Sequence, residues 1–212
     1  MQIRVFACSC HFHSSHIRIH SCMSERPKII IGLVGEMAAG KTTVTNYLKE
    51  KHGAVSFRFS DMLRDVLKRL HIEETRGNLQ MISTLLRQNF GEDLMSKVLA
   101  KDAESSPHPL IITEGIRRPT DVTYLKQLPG FHIIAINTNE RTRYNRVIER
   151  SENPDDKSKT WEQFQKEGEQ EAEQKIKEIA AESEYAIDNS GTTEELFAQV
   201  EEILIQIRKL CK

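Results

Sequence analysis

Gly35-Glu36-Met37-Ala38-Ala39-Gly40-Lys41-Thr42 follows a short β-branched run at 28–34 and opens a helix-like stretch at 41–51, which Gly53 stops. The octet fits G-x-x-x-x-G-K-[ST] at every fixed position. Strand, Gly-rich turn and helix in that order make a cradle for phosphate. The glycines let backbone N–H groups converge on an anion, and the helix N-terminus adds its dipole. Gly35, Glu36, Met37, Ala38, Ala39, Gly40, Lys41, Thr42 and Thr43 are therefore the candidate ATP-binding residues. Lys41 is expected to reach the β- and γ-phosphates, and the Thr42 hydroxyl to help hold Mg²⁺.

Outward from the loop, strand and helix patterns alternate. Residues 54–59 alternate apolar and polar as a strand does. Ser60 is placed to cap a helix through Leu70, with Met62, Leu63, Val66 and Leu67 at helical spacing. Leu79, Ile82, Leu85 and Leu86 mark another helix, ended near Gly91, and Leu94, Val98 and Leu99 a further one. Pro107 and Pro109 precede a strand at 110–113. Pro119 opens a helix expected to run to Pro129-Gly130, and 131–136 is the next strand. Residues 139–150 read as helix and 151–159 as a polar loop. Thr160 with Gln163 forms a capping box that predicts one long charged helix to about Glu182, with pairs such as Glu171–Lys175 and Glu173–Lys177 on its solvated face. A last strand at 185–188 leads to a second capping box, Thr192 with Glu195, and a C-terminal amphipathic helix. Five strands separated by helices predict an α/β, three-layer P-loop NTPase fold with a mainly parallel sheet.

Composition bounds the function. The chain has 212 residues, 38% apolar and 29% charged, enough to bury a core. Thirty basic against 31 acidic residues give a net charge of −1, so no global basic field exists to hold nucleic acid. The longest apolar runs, at 29–34 and 131–136, are too short to span a bilayer, and no membrane partner is expected. The first 22 residues differ from the rest. They hold Cys8, Cys10 and Cys22, four of the eight histidines, and no acidic residue. Removing Arg4 and Arg18 with them leaves 28 basic against 31 acidic residues, net −3. A Cys/His metal site, a transit peptide and a translation start at Met23 are the readings available; the last is the expectation, with 1–22 a non-native or disordered extension and 23–212 the domain. The body then keeps Cys211 alone, which suits a reducing cytoplasm.

A guanine switch would need Asn-Lys-x-Asp after a late strand, and here Asn137-Thr138-Asn139-Glu140 stands there. A motor or AAA-type ATPase would be expected to be longer, with further arginine and sensor elements. The length fits a small-molecule kinase. Ser60-Asp61-Met62-Leu63-Arg64 resembles the Gly-Asp-Met-Leu-Arg segment of adenylate kinases, and Thr113-Glu114-Gly115-Ile116-Arg117-Arg118 their Asp-Gly-Phe-Pro-Arg segment. Arg143, Arg146 and Arg150 before a polar loop resemble the arginine-bearing lid of that superfamily, here at about 140–170. The stretch 185–191 is similar to the end of dephospho-CoA kinases. About 180 residues from Lys28 thus resemble nucleoside-monophosphate-kinase-like and dephospho-CoA-kinase-like P-loop proteins.

The resemblance implies that Asp61, Arg64 and Arg117 bind a phosphorylated acceptor, and that Lys41, Arg117, Arg143 and Arg146 act on the transferring group. It also implies that Glu114 joins Thr42 at the metal. Three departures stand: Glu114 replaces an aspartate, Ile116 replaces a proline, and Asp61 stands where dephospho-CoA kinases have an acidic pair. A nucleoside monophosphate is the expected acceptor. Dephospho-CoA is the second reading, and an ATP-binding regulatory module or slow ATPase the third. Trp161 and Phe164 are expected to pack at the base of the charged helix.

Overall fold

The computed structural model describes residues 28–150, 156–169 and 171–210, and of 76, 150, 156 and 171–173 the backbone alone. The expectations for 1–22, for the Arg150 side chain and for the Glu171 and Glu173 pairs lie outside the described residues.

Five strands form one sheet in the order β2-β3-β1-β4-β5, and every pairing is parallel. They are β1 (Ile29–Val34), β2 (Val55–Arg58), β3 (Leu110–Glu114), β4 (Phe131–Asn137) and β5 (Tyr185–Asp188). β1 is central and buried along its whole length, which is why its sequence is a continuous apolar run rather than an alternation. Among the described residues eight α-helices connect and cover the strands: α1 (Lys41–His52), α2 (Asp61–Arg69), α3 (Arg76–Phe90), α4 (Leu94–Ser105), α5 (Glu140–Arg150), α6 (Trp161–Gly168), α7 (Glu171–Ala181) and α8 (Thr193–Leu210). One face of the sheet packs on α1 and α8 through Val44, Leu48, Leu196, Val200 and Leu204. The other packs on α4 and α7 through Met95, Leu99, Ile176 and Ile179, joined by Leu63 and Val122. The two faces give the three layers. No helix among the described residues is long and apolar enough to cross a membrane.

Two helical expectations are corrected. The stretch expected as a helix from Pro119 is two short 3-10 turns, Pro119–Val122 and Leu125–Gln127. Asp121 turns its side chain back to the amides of Arg117 and Arg118, and the turn goes no further. The long charged helix is two helices, α6 and α7, parted after Gly168. Phe164 and Ile176, both buried, would lie about 120° apart on one straight helix. They face different neighbours, so the helix breaks. Both capping boxes are present: Thr160 accepts from the Gln163 amide, and Thr192 and Glu195 exchange bonds of 3.2 and 2.9 Å. Ser60 precedes α2 without a side-chain cap; Asp61 Oδ2 instead accepts from the Arg58 amide at 2.8 Å.

Candidate nucleotide site at the carboxyl edge of the sheet

Parallel strands carry all their carboxyl ends to one edge, and the strand order reverses at β1 between β3 and β4. Ligands of open α/β sheets gather at such a point. The loop 35–40 leaves β1 there and enters α1. Two of its glycines are sterically required. A Cβ on Gly35 would stand 2.6 Å from the Ile136 carbonyl oxygen. Gly40 holds φ at +104°, and a Cβ there would collide with Asn189 Nδ2. Ala38 also sits in the left-handed region, at φ +59°. Gly40 caps α1 without a side-chain bond, so the first-turn amides face the hollow of the loop. Lys41 Nζ donates to the Gly35 and Glu36 carbonyls at 2.6 and 2.9 Å, which holds the ammonium against the loop. Thr42 and Thr43 lie exposed on the first turn of α1.

The loop is fastened from behind. The Ala39 carbonyl accepts from Thr138 Oγ1 at 2.9 Å and from Asn189 Nδ2 at 2.8 Å. Arg146 donates to the Asn189 carbonyl at 3.0 Å, and its Nη1 is buried with no hydrogen-bond partner. Arg143 is buried, its guanidinium 5.5 Å over the Phe164 ring. It donates to Glu36 Oε1 at 3.0 Å and reaches the Thr138 and Met37 carbonyls at 3.4 and 3.5 Å. The two arginines of α5 are therefore held on protein groups, Arg143 on the phosphate loop and Arg146 on the Asn189 that fastens it. Lys177 of α7 stands 3.6 Å from the same Glu36 oxygen, so two cations neutralise the one carboxylate in an anion-binding loop. Trp161 and Phe164 pack edge-on against Tyr144 at 5.3 and 5.6 Å, joining α6 to α5.

At the ends of β2 and β3 the register sets Arg58 beside Glu114. Arg58 Nε donates to Glu114 Oε2 at 3.2 Å, while Glu114 Oε1 is buried with no hydrogen-bond partner. An orphaned carboxylate oxygen at the carboxyl end of β3, the strand beside β1, fits the hard, oxygen-seeking character of Mg²⁺. Asp61 stands half-buried at the start of α2. Arg64 is paired with Glu74 at 3.0 Å. Arg117 is exposed beyond β3, and among the described residues its guanidinium has no ion-pair partner. Sequence reading missed Thr138, Asn189, Arg58 and Asp121, and with Asp121 the Arg87 of α3 that pairs with it at 2.9 Å. Arg58 could have been found from the pairing of strand ends; Asn189 lies in the 185–191 stretch that carries a family resemblance, but nothing local tied it to the loop it fastens 150 positions away.

Comparison with known proteins agrees with this architecture. The AAA domain family profile matches residues 31–175. A UPF0200 protein of Hyperthermus butylicus is 26% identical over 185 residues, 87% of this chain and 98% of that protein. One of Saccharolobus solfataricus is 29% identical over 183 residues, covering 85% and 94%. Among solved structures, shikimate kinase from Bacteroides thetaiotaomicron superposes with a TM-score of 0.56 at 14% identity, covering 84% of this chain and 98% of that one. Shikimate kinase from Acinetobacter baumannii, in complex with shikimate, gives 0.51 at 19%, covering 88% and 98%. At such identities the likeness is one of fold. The family match begins in β1 and ends in α7. With its phosphate loop leaving the central strand of an all-parallel sheet, this chain belongs to the AAA domain family and has a P-loop kinase-like fold.

Proposed function

We infer that the protein is an ATP- and Mg²⁺-dependent phosphotransferase whose acceptor is a small phosphate-bearing molecule, a nucleoside monophosphate first among them. The observation that carries this reading is the exposed Arg117, without an ion-pair partner among the described residues, and the half-orphaned Glu114 on the loop edge next to the phosphate cradle. A guanidinium at the end of the strand beside the one that carries the phosphate loop is placed to take a second phosphate. In the proposed reaction an oxygen of the acceptor's phosphate forms a bond to the γ-phosphorus as the bond to the bridging oxygen of ADP breaks. Such a transfer needs alignment and charge neutralisation more than covalent help. The loop amides and Lys41 would take the donor phosphates, and Arg117 the acceptor phosphate by a forked pair of bonds. Thr42 and Glu114 would hold Mg²⁺, which supplies charge neutralisation across the donor phosphates. Arg143 and Arg146 would act through the loop they fasten.

The family match favours one second reading, an ATP-binding module or slow ATPase whose nucleotide state governs a partner. The test is to incubate the full chain with ATP and Mg²⁺, add ribo- and deoxyribonucleoside monophosphates and dephospho-CoA singly, and separate products by chromatography. A diphosphate formed from one monophosphate is the expected result. Conversion of dephospho-CoA to CoA would redirect the acceptor assignment, and ADP released at one slow rate with every acceptor would leave the module. Lys41→Ala is expected to lose transfer by at least about 100-fold while its circular dichroism stays that of the wild type. Full activity in that variant removes the loop from the chemistry.

A further inference from the structure

Asp121 is 2% exposed and lies in the first 3-10 turn after β3. Its Oδ2 accepts from the backbone amides of both Arg117 and Arg118, at 2.9 and 3.0 Å. Its Oδ1 accepts from Arg87 Nη2 at 2.9 Å. Arg87 is 9% exposed and belongs to the last turn of α3. Its Nη1 donates to the Glu92 carbonyl, and Glu92 Oε2 in turn pairs with Arg118 Nη1 at 2.8 Å. Arg87 Nε is buried without a partner.

A buried ion pair is a poor device for stability alone, since apolar side chains of similar volume often serve as well or better. This pair does something apolar side chains cannot: it takes two consecutive amides on one carboxylate oxygen and so fixes the direction of the loop at 115–118. That direction matters because the loop alternates. Ile116 enters the core at 3% exposure while its neighbour Arg117 points outward. A rotation of the two peptides would carry Arg117 off the sheet edge. The same guanidinium ties the loop to α3, which packs against α2 and so against the element that carries Arg64.

We propose that Arg87 and Asp121 are positioning residues, which hold the 115–118 loop so that Arg117 faces the acceptor phosphate. The proposal rests on the phosphotransferase reading for the identity of the acceptor, but the hold on the loop is measurable without it.

The experiment joins a double-mutant cycle to hydrogen exchange. AMP binding is measured by calorimetry on the wild type, Arg87→Lys, Arg117→Ala and the double variant, with a non-hydrolysable ATP analogue as a second ligand. Exchange at the amides of 117 and 118 is followed in parallel. Arg87→Lys keeps the charge but loses the fork. It is expected to weaken AMP about 10-fold, to leave the ATP analogue unchanged, and to have no further effect once Arg117 is alanine. Its 117–118 amides are expected to exchange faster. Asp121→Asn, which keeps the shape and removes one acceptor, repeats the test should Arg87→Lys melt below the assay temperature. Additive losses in the cycle, equal weakening of both ligands, or unchanged exchange at 117–118 each overturn the proposal. A wild type that binds the ATP analogue but no monophosphate sinks the acceptor reading instead, and the exchange result still decides whether Arg87 holds the loop.

Discussion

Gly40 shows how one residue type can be fixed from two directions. Its φ of +104° suits glycine, and the space a Cβ would fill is held by Asn189 Nδ2, the donor that fastens Ala39. Gly40→Ala is therefore expected to cost about 1–3 kcal/mol in backbone strain and to displace Asn189 from the loop. ATP affinity should fall at least about 10-fold. Adding Asn189→Ala should recover little, because the vacated space leaves φ unchanged; calorimetry with an ATP analogue on both variants checks this. Restored binding in the double variant would place the whole effect in the clash. The octet around Gly40 was fully legible in the sequence, since its chemistry is local to eight consecutive positions. The fastenings were not. Thr138 and Asn189 meet Ala39 from 99 and 150 positions away, and no local pattern marks a residue whose role is created by tertiary contact.

Elements were legible where an apolar stripe or a cap fixed them, and illegible where partners decided. The strand run at 29–34 and the capping box at Thr192 could be read directly, whereas the break between α6 and α7 follows from what Phe164 and Ile176 each pack against. The α1–α8 contact belongs to the second kind. Tyr47 stacks on Phe197 at 3.9 Å, and its hydroxyl donates to Glu201 at 2.6 Å. That hydrogen bond, seconded by His52 and Lys51 and opposed by burial, holds the Glu201 carboxyl down at about 2 against an ordinary 4.5. A depressed carboxyl stabilises the fold above its unfolded value and loses that contribution as pH falls toward the folded one. With partial solvent screening the contribution is about 1–2 kcal/mol. Glu201→Gln is expected to lower the melting temperature by about 3–6 °C at pH 7. The gap should hold to pH 5 and narrow at pH 4 and 3. A gap that does not change with pH would mean the loss is one of packing.

Across the whole molecule the two sides of the sheet are not equally anchored. α8 buries Leu196, Val200, Ile203, Leu204 and Ile207, and it closes the face that also holds α1 and the rear of the phosphate loop. On α3, Leu79, Ile82 and Leu86 are only partly covered, and Met81, Leu85 and Phe90 stand 47, 48 and 68% exposed. Among the described side chains of α3 the buried one is Arg87, at the end tied to Asp121. Local opening free energy follows buried apolar contact, so α3 should open without the rest of the fold, and from its Thr75 end first. This division suits the proposed reaction. The donor loop belongs to the rigid half, where preorganised amides keep their worth, and the acceptor side can open to admit and release a small molecule. Hydrogen exchange is expected to show amides of 77–86 exchanging at least about 10-fold faster than those of 196–207. The difference should shrink when an ATP analogue and AMP are both present, if Arg64 and Arg117 then hold a common ligand as proposed. Equal protection of the two helices in the free protein would contradict the unequal anchoring. A faster α3 that ATP analogue and AMP together leave unchanged would separate its opening from acceptor binding.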